Sequence, residues 1–274
     1  MTTVSAALRE AASALDGISD TARLDAELLM AEALGISRSD MLLRGRDLDV
    51  PPEFARLLER RKRHEPIAYI LGRQEFYGRE FLVNPQVLIP RGDSETLVDA
   101  ALRNIPPAAR ILDLGTGSGA LLLTLLAELP EASGTGIDAS LGAVSVAAAN
   151  AAGLGVADRA HILHADWNME GWSDALGQFD LIIANPPYVE TGADLAPSVR
   201  QFEPASALFA GADGLDDYRS LIPQLGNMLA PNGIILLEIG YAQADQVSQI
   251  AGLSGYTAEL FRDLAHRPRA LLLR

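Results

Sequence analysis

Residues 110–119 read RILDLGTGSG, and this stretch is the strongest indication of the fold in the sequence. An apolar run typical of a buried strand passes directly into a turn with glycine at positions 115, 117 and 119. The segment LLLTLLAEL after it predicts a helix. Glycine lets the backbone approach a ligand closely, and ligands of open α/β sheets bind at the carboxyl ends of the strands. The stretch therefore predicts a strand, a ligand-binding turn and a helix.

Strand-like and helix-like segments alternate along the chain from residue 110 onward. The predicted strands are RILDL, GTGID, HILHAD, FDLIIAN and GIILLEIG, and the helices between most of them are centred on LLLTLLAEL, GAVSVAAANAA and YRSLIPQLGNML. This alternation predicts an α/β fold with a doubly wound, mostly parallel sheet. The late segments TAELFRDL and RALLLR predict an antiparallel hairpin at the edge of that sheet.

The beginning of the chain predicts helices only. Apolar residues recur at three- and four-residue spacing in VSAALREAASAL, ARLDAELLMAEAL, SRSDMLL and PEFARLLERRKRH. Ser37 and Pro52 are suited to helix starts, and Gly35 to a helix end. The alternation in EFYGREFLVNPQVLIP predicts a β-hairpin that turns at Tyr77-Gly78. We expect a helical bundle and substrate-binding domain at 1–75, a hairpin linker at 76–90 and the α/β domain at 91–274.

Charge and composition restrict the classes of function. The chain carries a formal net charge of -14 and no cysteine, which argues against wrapping nucleic acid and excludes disulfides and thiolate metal sites. His161, His164 and His266 have no companions at metal-ligand spacing, so we expect no metal. The start MTTVSAALREAAS lacks the basic and apolar regions of a signal peptide, and we expect a cytoplasmic location with no membrane span.

The glycine-rich turn and the ends of the next two strands predict an adenosine-binding site. Asp138, about 20 residues beyond the first glycine, could accept hydrogen bonds from ribose hydroxyls. Asp166 and Trp167 follow the third strand and could meet adenine through a carboxylate and a flat apolar face. An ordinary core position is the alternative for Trp167.

The turn does not fit the two common phosphate-binding patterns. No Gly-Lys-Ser/Thr follows it, and Ala120 occupies the last glycine position of a dinucleotide fingerprint. Asp113, just before the first glycine, would repel a phosphate but suits a cationic or amino-bearing ligand.

The fourth strand ends in Asn185, Pro186, Pro187 and Tyr188. Two prolines fix the backbone and remove its donors, so the loop presents acceptors in a rigid frame. The Asn185 amide oxygen and the Pro186 carbonyl could hold both N–H bonds of a planar NH2 group. The nitrogen lone pair would then point at a methyl sulfonium while Tyr188 packs on the plane of the substrate. An amide and an adenine fit this loop equally well.

Together these motifs resemble the HemK/PrmC family of release factor glutamine methyltransferases. The likeness extends over most of the chain and includes the following segments: Glu65–Gly72, Glu75–Gly78, Val87–Arg91, Phe202–Pro204, Asp213–Leu215 and Leu237–Gly240.

The resemblance implies a Rossmann-like class I methyltransferase domain preceded by the helical bundle and the linking hairpin. It implies that S-adenosyl-L-methionine is the methyl donor and S-adenosyl-L-homocysteine the product. The acceptor would be the glutamine of the Gly-Gly-Gln motif in class-1 peptide chain release factors, held by Asn185 to Tyr188 with help from the helical domain. The donor site would comprise these residues: Asp113, Gly115, Thr116, Gly117, Ser118, Gly119, Asp138, Asp166, Trp167 and Asn185. We expect a monomer without stable nucleic-acid binding.

The sequence departs from the family pattern in two places. Gly92-Asp93-Ser94-Glu95 follows Arg91 where Pro-Glu/Asp-Thr-Glu is usual, and Ala210 replaces a common glycine. Gly92 is expected to add backbone freedom at the entrance of the donor site, without loss of activity.

Three other functions remain open from the sequence. One is a ribosomal-protein glutamine methyltransferase, the second an adenine-N6 DNA or RNA methyltransferase, and the third a non-catalytic binding module. The run Arg60-Arg61-Lys62-Arg63-His64 could contact RNA or an acidic partner, or it could be a solvated helix end.

Overall fold

The computed structural model describes residues 3–45 and 47–274, which form two compact units. The first contains the described residues up to Arg73 together with Leu195–Phe202. The second contains Gln74–Asp194 and Glu203–Arg274. Among the described residues, no helix combines the length and the apolar character that a membrane crossing requires.

The first unit consists of helices, as predicted. They are α1 (Val4–Ala14), α2 (Ala22–Leu34), α3 (Arg38–Arg44), α4 (Pro52–Lys62), α5 (Ile67–Leu71) and the later helix α9 (Pro197–Phe202). Gly35 ends α2 with a left-handed φ of 65°, and the Ser37 hydroxyl accepts the Asp40 N–H at 3.0 Å at the start of α3. Leu29, Met30 and Met41 are fully buried in its core. The short helix α5 was not predicted.

The basic run at the end of α4 is largely neutralised by partners within the same unit. Arg61 is buried and binds Asp25, with 2.7 Å between Nε and Oδ2. Arg60 pairs with Glu65, and Lys62 pairs with Glu59. Because these cations already have partners, the run favours the interpretation of a helix end over that of an RNA-binding patch.

A β-hairpin lies at the start of the second unit, with its first residue, Arg73, still counted in the first. Its strands are β1 (Arg73–Phe76) and β2 (Arg79–Leu82), and they turn at Tyr77 and Gly78, which have φ of 51° and 70°. Positive φ at both central residues matches the twist of a two-residue hairpin, which explains the glycine. The turn was predicted correctly. The two strands, however, span residues 73–82, so the hairpin begins and ends earlier in the chain than the predicted linker at 76–90.

The sheet of the second unit has seven strands. They are β3 (Arg110–Leu114), β4 (Ser133–Asp138), β5 (Ala160–His164), β6 (Phe179–Ala184), β7 (Leu229–Glu238), β8 (Ala258–Arg262) and β9 (Pro268–Leu273). Their order is β5-β4-β3-β6-β7-β9-β8, with parallel pairing from β5 to β7 and antiparallel pairing at β9 and β8. The predicted fold class and the edge hairpin are therefore confirmed.

Helices flank this sheet. They are α6 (Glu95–Asn104), α7 (Ala120–Glu128), α8 (Leu141–Gly153), α10 (Asp216–Leu221) and α11 (Ala244–Leu253). The predicted helix at YRSLIPQLGNML changes to a 3-10 helix at Ile222–Met228. Pro223 has no N–H to donate to the preceding turn and its ring obstructs the α-helical backbone, so the regular helix ends before it. Helices α6 and α11 were not predicted.

Two apolar clusters cover the two faces of the sheet. Along β3, Ile111 belongs to one cluster, whereas Leu112 and Leu114 belong to the other. Helix α7 contributes Leu122 and Leu125 to the first cluster. Because both faces are buried, the central strands are mostly apolar, and the carboxyl end of β3 is held between the two clusters where the glycine turn begins.

Candidate active site

A cavity of about 520 Å³ lies at the carboxyl ends of the central strands of the second unit. Its walls come from the glycine turn after β3, the ends of β4 and β6, the segment after β5, and residues 85–91. Its volume is in the range of a nucleoside-sized ligand. The open edge of a doubly wound sheet is where ligands are expected, and the cavity lies at that edge.

The glycine turn brings its backbone close to an indole ring. The N–H groups of Gly115 and Thr116 both donate to the Ile137 carbonyl at 2.9 Å, which joins the turn to β4. Gly115 has φ of 73°, and a Cβ there would lie 3.3 Å from the Trp167 ring. A side chain at position 115 would therefore crowd the ring and strain the backbone.

Asp138 fixes the turn from the end of β4. Its Oδ2 accepts the Gly117 N–H at 2.9 Å, and its Oδ1 accepts the Ser140 N–H at 2.9 Å. Each oxygen keeps further acceptor capacity, because a carboxylate offers about four lone-pair sites. Asp138 also lines the cavity, so it can support the turn and accept from a ligand hydroxyl together.

Asp113 is a buried carboxyl at the floor of the cavity. The Thr116 hydroxyl donates to its Oδ2 at 2.7 Å, whereas Oδ1 has no hydrogen-bond partner among the described residues. Burial raises the pKa of Asp113 to about 7, and the Thr116 hydrogen bond opposes that rise. An unpaired buried acceptor is costly, so this oxygen fits the amino group of a cationic ligand.

Replacing Asp113 with asparagine is expected to weaken binding of a ligand that carries an ammonium group about 10-fold at about pH 8. Wild-type affinity should fall as the pH drops through about 7, because Asp113 then becomes protonated, and the variant should not show this fall. Isothermal titration calorimetry with S-adenosyl-L-homocysteine across pH tests both points. Equal affinity and equal pH dependence in the two proteins would contradict the assignment.

The same substitution is expected to stabilise the ligand-free protein. The pKa of Asp113 is higher in the folded than in the unfolded state, so the folded protein binds the additional proton between the two values. Its free energy of unfolding therefore declines as the pH rises toward 7. Asp113→Asn removes this cost, and its Tm at about pH 8 should exceed that of wild type by a few degrees.

The region beyond β5 adds more acidic groups. Asp166, Trp167 and Asn168 line the cavity, and the Asp166 Oδ1 accepts the Asn168 N–H at 2.8 Å. Asp217, from α10, lines the cavity as well, and burial raises its pKa while the Trp167 side chain acts in the opposite direction. Asp217 was not predicted from the sequence, where its only local signal is its closeness to the Asp213-Gly214-Leu215 motif. The cavity thus has four carboxyl groups, which suits a positively charged ligand.

The loop after β6 borders this cavity. Asn185 and Pro187 line it, as do Thr116, Gly117 and Ser118, whereas Gly119, Pro186 and Tyr188 are not among the lining residues. Pro186 is buried, and the half-buried Tyr188 donates its hydroxyl to Glu238 Oε1 at 3.3 Å. The structure therefore brings most of the predicted donor and acceptor residues to one cavity, and their individual roles stay predictions.

The segment before α6 is anchored by a buried carboxylate. Glu203 accepts the Ile89 N–H at 3.2 Å and binds the Arg91 guanidinium. Gly92–Ser94 form one 3-10 turn, and Asp93 pairs with Arg269 at 2.7 Å. Ser94 lines the cavity. The unusual residues at 92–94 thus form an ordered turn at the cavity wall rather than a break in it.

Two family models match the chain. The model described as PrmC N-terminal domain matches residues 6–72, and the model described as methyltransferase small domain matches residues 93–209. The two matches coincide with the helical unit and with the part of the sheet that carries the glycine turn and the Asn185 loop.

Several curated proteins are similar over nearly the whole chain, and their name is release factor glutamine methyltransferase. The protein of Rhodospirillum rubrum is 44% identical over 92% of this chain and 78% of its own. That of Caulobacter vibrioides is 41% identical over 92% and 89%, and that of Agrobacterium fabrum is 39% identical over 99% and 97%. Among solved structures, a methyltransferase from Pyrococcus furiosus shares the fold, with a TM-score of 0.55 and 16% identity over 72% of this chain and 89% of that one.

Proposed function

The chain belongs to the family of release factor glutamine methyltransferases, and from this premise we propose its reaction. It transfers a methyl group from S-adenosyl-L-methionine to the N5 amide nitrogen of the glutamine in the Gly-Gly-Gln motif of class-1 peptide chain release factors. The observation that carries the proposal is the Asn185-Pro186-Pro187-Tyr188 loop at the border of an acidic cavity.

The residues of the cavity fit the methyl donor. When bound, S-adenosyl-L-methionine supplies a methyl group on a positively charged sulfur. Asp113 offers a buried, unpaired oxygen to the ammonium group of the donor, and Asp138 offers acceptors to ribose hydroxyls. Trp167 and Asp166 would contact the adenine. Gly115 leaves the space that a side chain would fill.

The Asn185 loop would bind the acceptor amide. An amide nitrogen is a poor nucleophile because its lone pair is delocalised into the carbonyl. The Asn185 side-chain oxygen and the Pro186 carbonyl accept its two N–H bonds, which orients the nitrogen toward the methyl group and draws electron density onto it. No histidine is among the described residues that line the cavity, so we propose no histidine base: the loop orients the amide, and its proton leaves during or after methyl transfer.

The helical unit would provide the surface for the partner protein. We propose that residues 1–75 bind the release factor outside the Gly-Gly-Gln motif. This role would explain a separate domain whose net charge is close to zero before the acidic catalytic domain. Because release factors act on ribosomes, we also propose a cytoplasmic location. Monomeric state and the absence of stable nucleic-acid binding remain parts of the same proposal.

The test is a methylation assay with radiolabelled donor and purified release factors. Label should enter a release factor with the Gly-Gly-Gln motif and should be absent when that glutamine is replaced by asparagine, with the site located by peptide mass mapping. DNA and ribosomal proteins serve as parallel substrates. Methyl transfer to DNA or to a ribosomal protein, without transfer to the release factor, would contradict the proposal.

A further inference from the structure

Tyr188 is held at two points, through its main-chain carbonyl by Gln243, which follows β7, and through its hydroxyl by Glu238, the last residue of β7. The Gln243 Nε2 donates to the Tyr188 carbonyl at 3.1 Å and to the Gly214 carbonyl at 3.1 Å. The Gln243 Oε1 accepts the Gly240 N–H at 3.0 Å. One amide side chain therefore links three backbone segments: the loop Asn185–Tyr188 after β6, called the acceptor loop below, the segment before α10 and the turn after β7.

Gly214 shows how closely these segments approach. It has φ of 69°, and a Cβ at this position would lie 2.3 Å from the Tyr188 carbonyl oxygen and 2.9 Å from the Gln243 Nε2. Real side chains do not tolerate such distances, so position 214 requires glycine. The close approach allows one amide group to bond both carbonyls.

Glu238 holds the other end of Tyr188. It is the last residue of β7, is 1% exposed, and its Oε1 accepts the Tyr188 hydroxyl at 3.3 Å. The Glu238 carbonyl in turn accepts the buried Tyr218 hydroxyl at 2.7 Å. Strands β6 and β7 are parallel neighbours, so Glu238 comes from the strand beside the one that carries the acceptor loop, and Gln243 comes from the turn between β7 and α11.

Gln243 and Glu238 both contact the acceptor loop at Tyr188, and neither is among the described residues that line the donor cavity. We propose that Gln243 and Glu238 are positioning residues that hold Tyr188 at both ends and thereby fix the acceptor loop for the glutamine amide. This inference rests on the proposed function, because it assigns a role toward the same acceptor.

The surroundings of Glu238 make the contact sensitive to pH. The groups that face it are Tyr188, Tyr218 of α10, Ser94 and Asp93 before α6, and Arg269 of β9. Burial raises the pKa of Glu238 to about 7, while Ser94, Arg269 and Tyr188 oppose the rise. Burial and Glu238 both raise the pKa of Tyr188, so the phenol stays protonated and donates. A protonated Glu238 accepts this bond more weakly than the carboxylate does.

The first test is Gln243→Glu, which keeps the shape but replaces the donating NH2 group with an acceptor facing two carbonyls. With the donor saturating, kcat/KM for the release factor should fall about 10-fold or more, while donor Kd stays within about 2-fold of wild type. Gln243→Ala serves as a second variant if the glutamate impairs folding. Gln249→Glu, an exposed position on α11, is the matched control and should behave as wild type.

A second readout does not depend on activity. Hydrogen exchange of the peptide that contains Tyr188 and Val189 should be about 10-fold faster in Gln243→Glu than in wild type, because the loop loses its main-chain anchor. Unchanged exchange would overturn the inference even if the wild-type enzyme is active. Absence of transfer by the wild-type protein would instead contradict the proposed function, so the two failures can be told apart.

The third test is Glu238→Gln, which retains an acceptor for Tyr188 without titrating. At saturating donor, wild-type kcat/KM for the release factor should rise as the pH increases through about 7, and the variant should lack this rise. In Tyr188→Phe the effect of Glu238→Gln should be smaller than in wild type, because the hydroxyl that links the two is gone. Identical pH profiles in wild type and Glu238→Gln would overturn the role of Glu238.

Discussion

Replacing Asn185 with alanine is expected to lower kcat for release factor methylation about 1,000-fold. The alanine removes the side-chain acceptor that would orient the amide NH2 group, and the amide nitrogen then loses both its alignment and its polarisation. Because Asn185 also lines the donor cavity, donor affinity should weaken but remain measurable. Single-turnover kinetics with saturating donor, together with calorimetry of donor binding, would separate the two effects.

A matched control is Asn104→Ala at the end of α6. The Asn104 side chain donates to the Ala100 carbonyl at 2.9 Å, and Asn104 is not among the described residues that line the cavity. This variant should retain wild-type kcat. A near-wild-type kcat in Asn185→Ala would refute the assigned role of the loop, whereas a similar loss in both variants would indicate a general effect on folding.

The features that sequence analysis predicted are local ones. The turn at 115–119, the helix end at Gly35 and the hairpin turn at Tyr77-Gly78 each depend on a backbone conformation that neighbouring residues specify. The central strands were predicted because both faces of the sheet are buried, which makes these strands mostly apolar. Helix α5 has only five residues and is too short to show a helical period. Helix α11 buries only Val247 and Ala251, so its apolar stripe is weak.

The parts of the site that were missed depend on contacts between distant residues. Asp217 lines the cavity because the segment before α10 packs against the acceptor loop, where Gln243 bonds the Gly214 and Tyr188 carbonyls. Glu203 bonds Ile89 and Arg91, which lie more than a hundred residues away in the sequence. Arg269 meets Asp93 because β9 inserts between β7 and β8. Sequence spacing does not encode such pairings: Glu203 and Glu238 stand out in the sequence as acids within the family segments Phe202–Pro204 and Leu237–Gly240, but their contacts were not predicted.

Replacing Asp138 with asparagine is expected to raise the Kd for S-adenosyl-L-methionine about 100-fold. Each carboxylate oxygen accepts one backbone N–H, from Gly117 and from Ser140, both at 2.9 Å. An asparagine can accept only one of them and turns its NH2 group toward the other donor. The glycine turn would keep its bonds to the Ile137 carbonyl but would be held less firmly at Gly117 or Ser140, and the ribose would lose a charged acceptor.

The loss should appear in donor binding and not in the chemical step. At saturating donor, kcat of Asp138→Asn should stay within about 10-fold of wild type, because the acceptor loop after β6 does not depend on Asp138. Asp180→Asn is the matched control, since Asp180 also accepts a backbone N–H, from Arg110 at 2.8 Å, but at the opposite end of the sheet. Calorimetry of donor binding checks both variants. If Asp138→Asn bound the donor as tightly as Asp180→Asn, the carboxylate would be only a support for the turn, and the ribose contact would have to be assigned elsewhere.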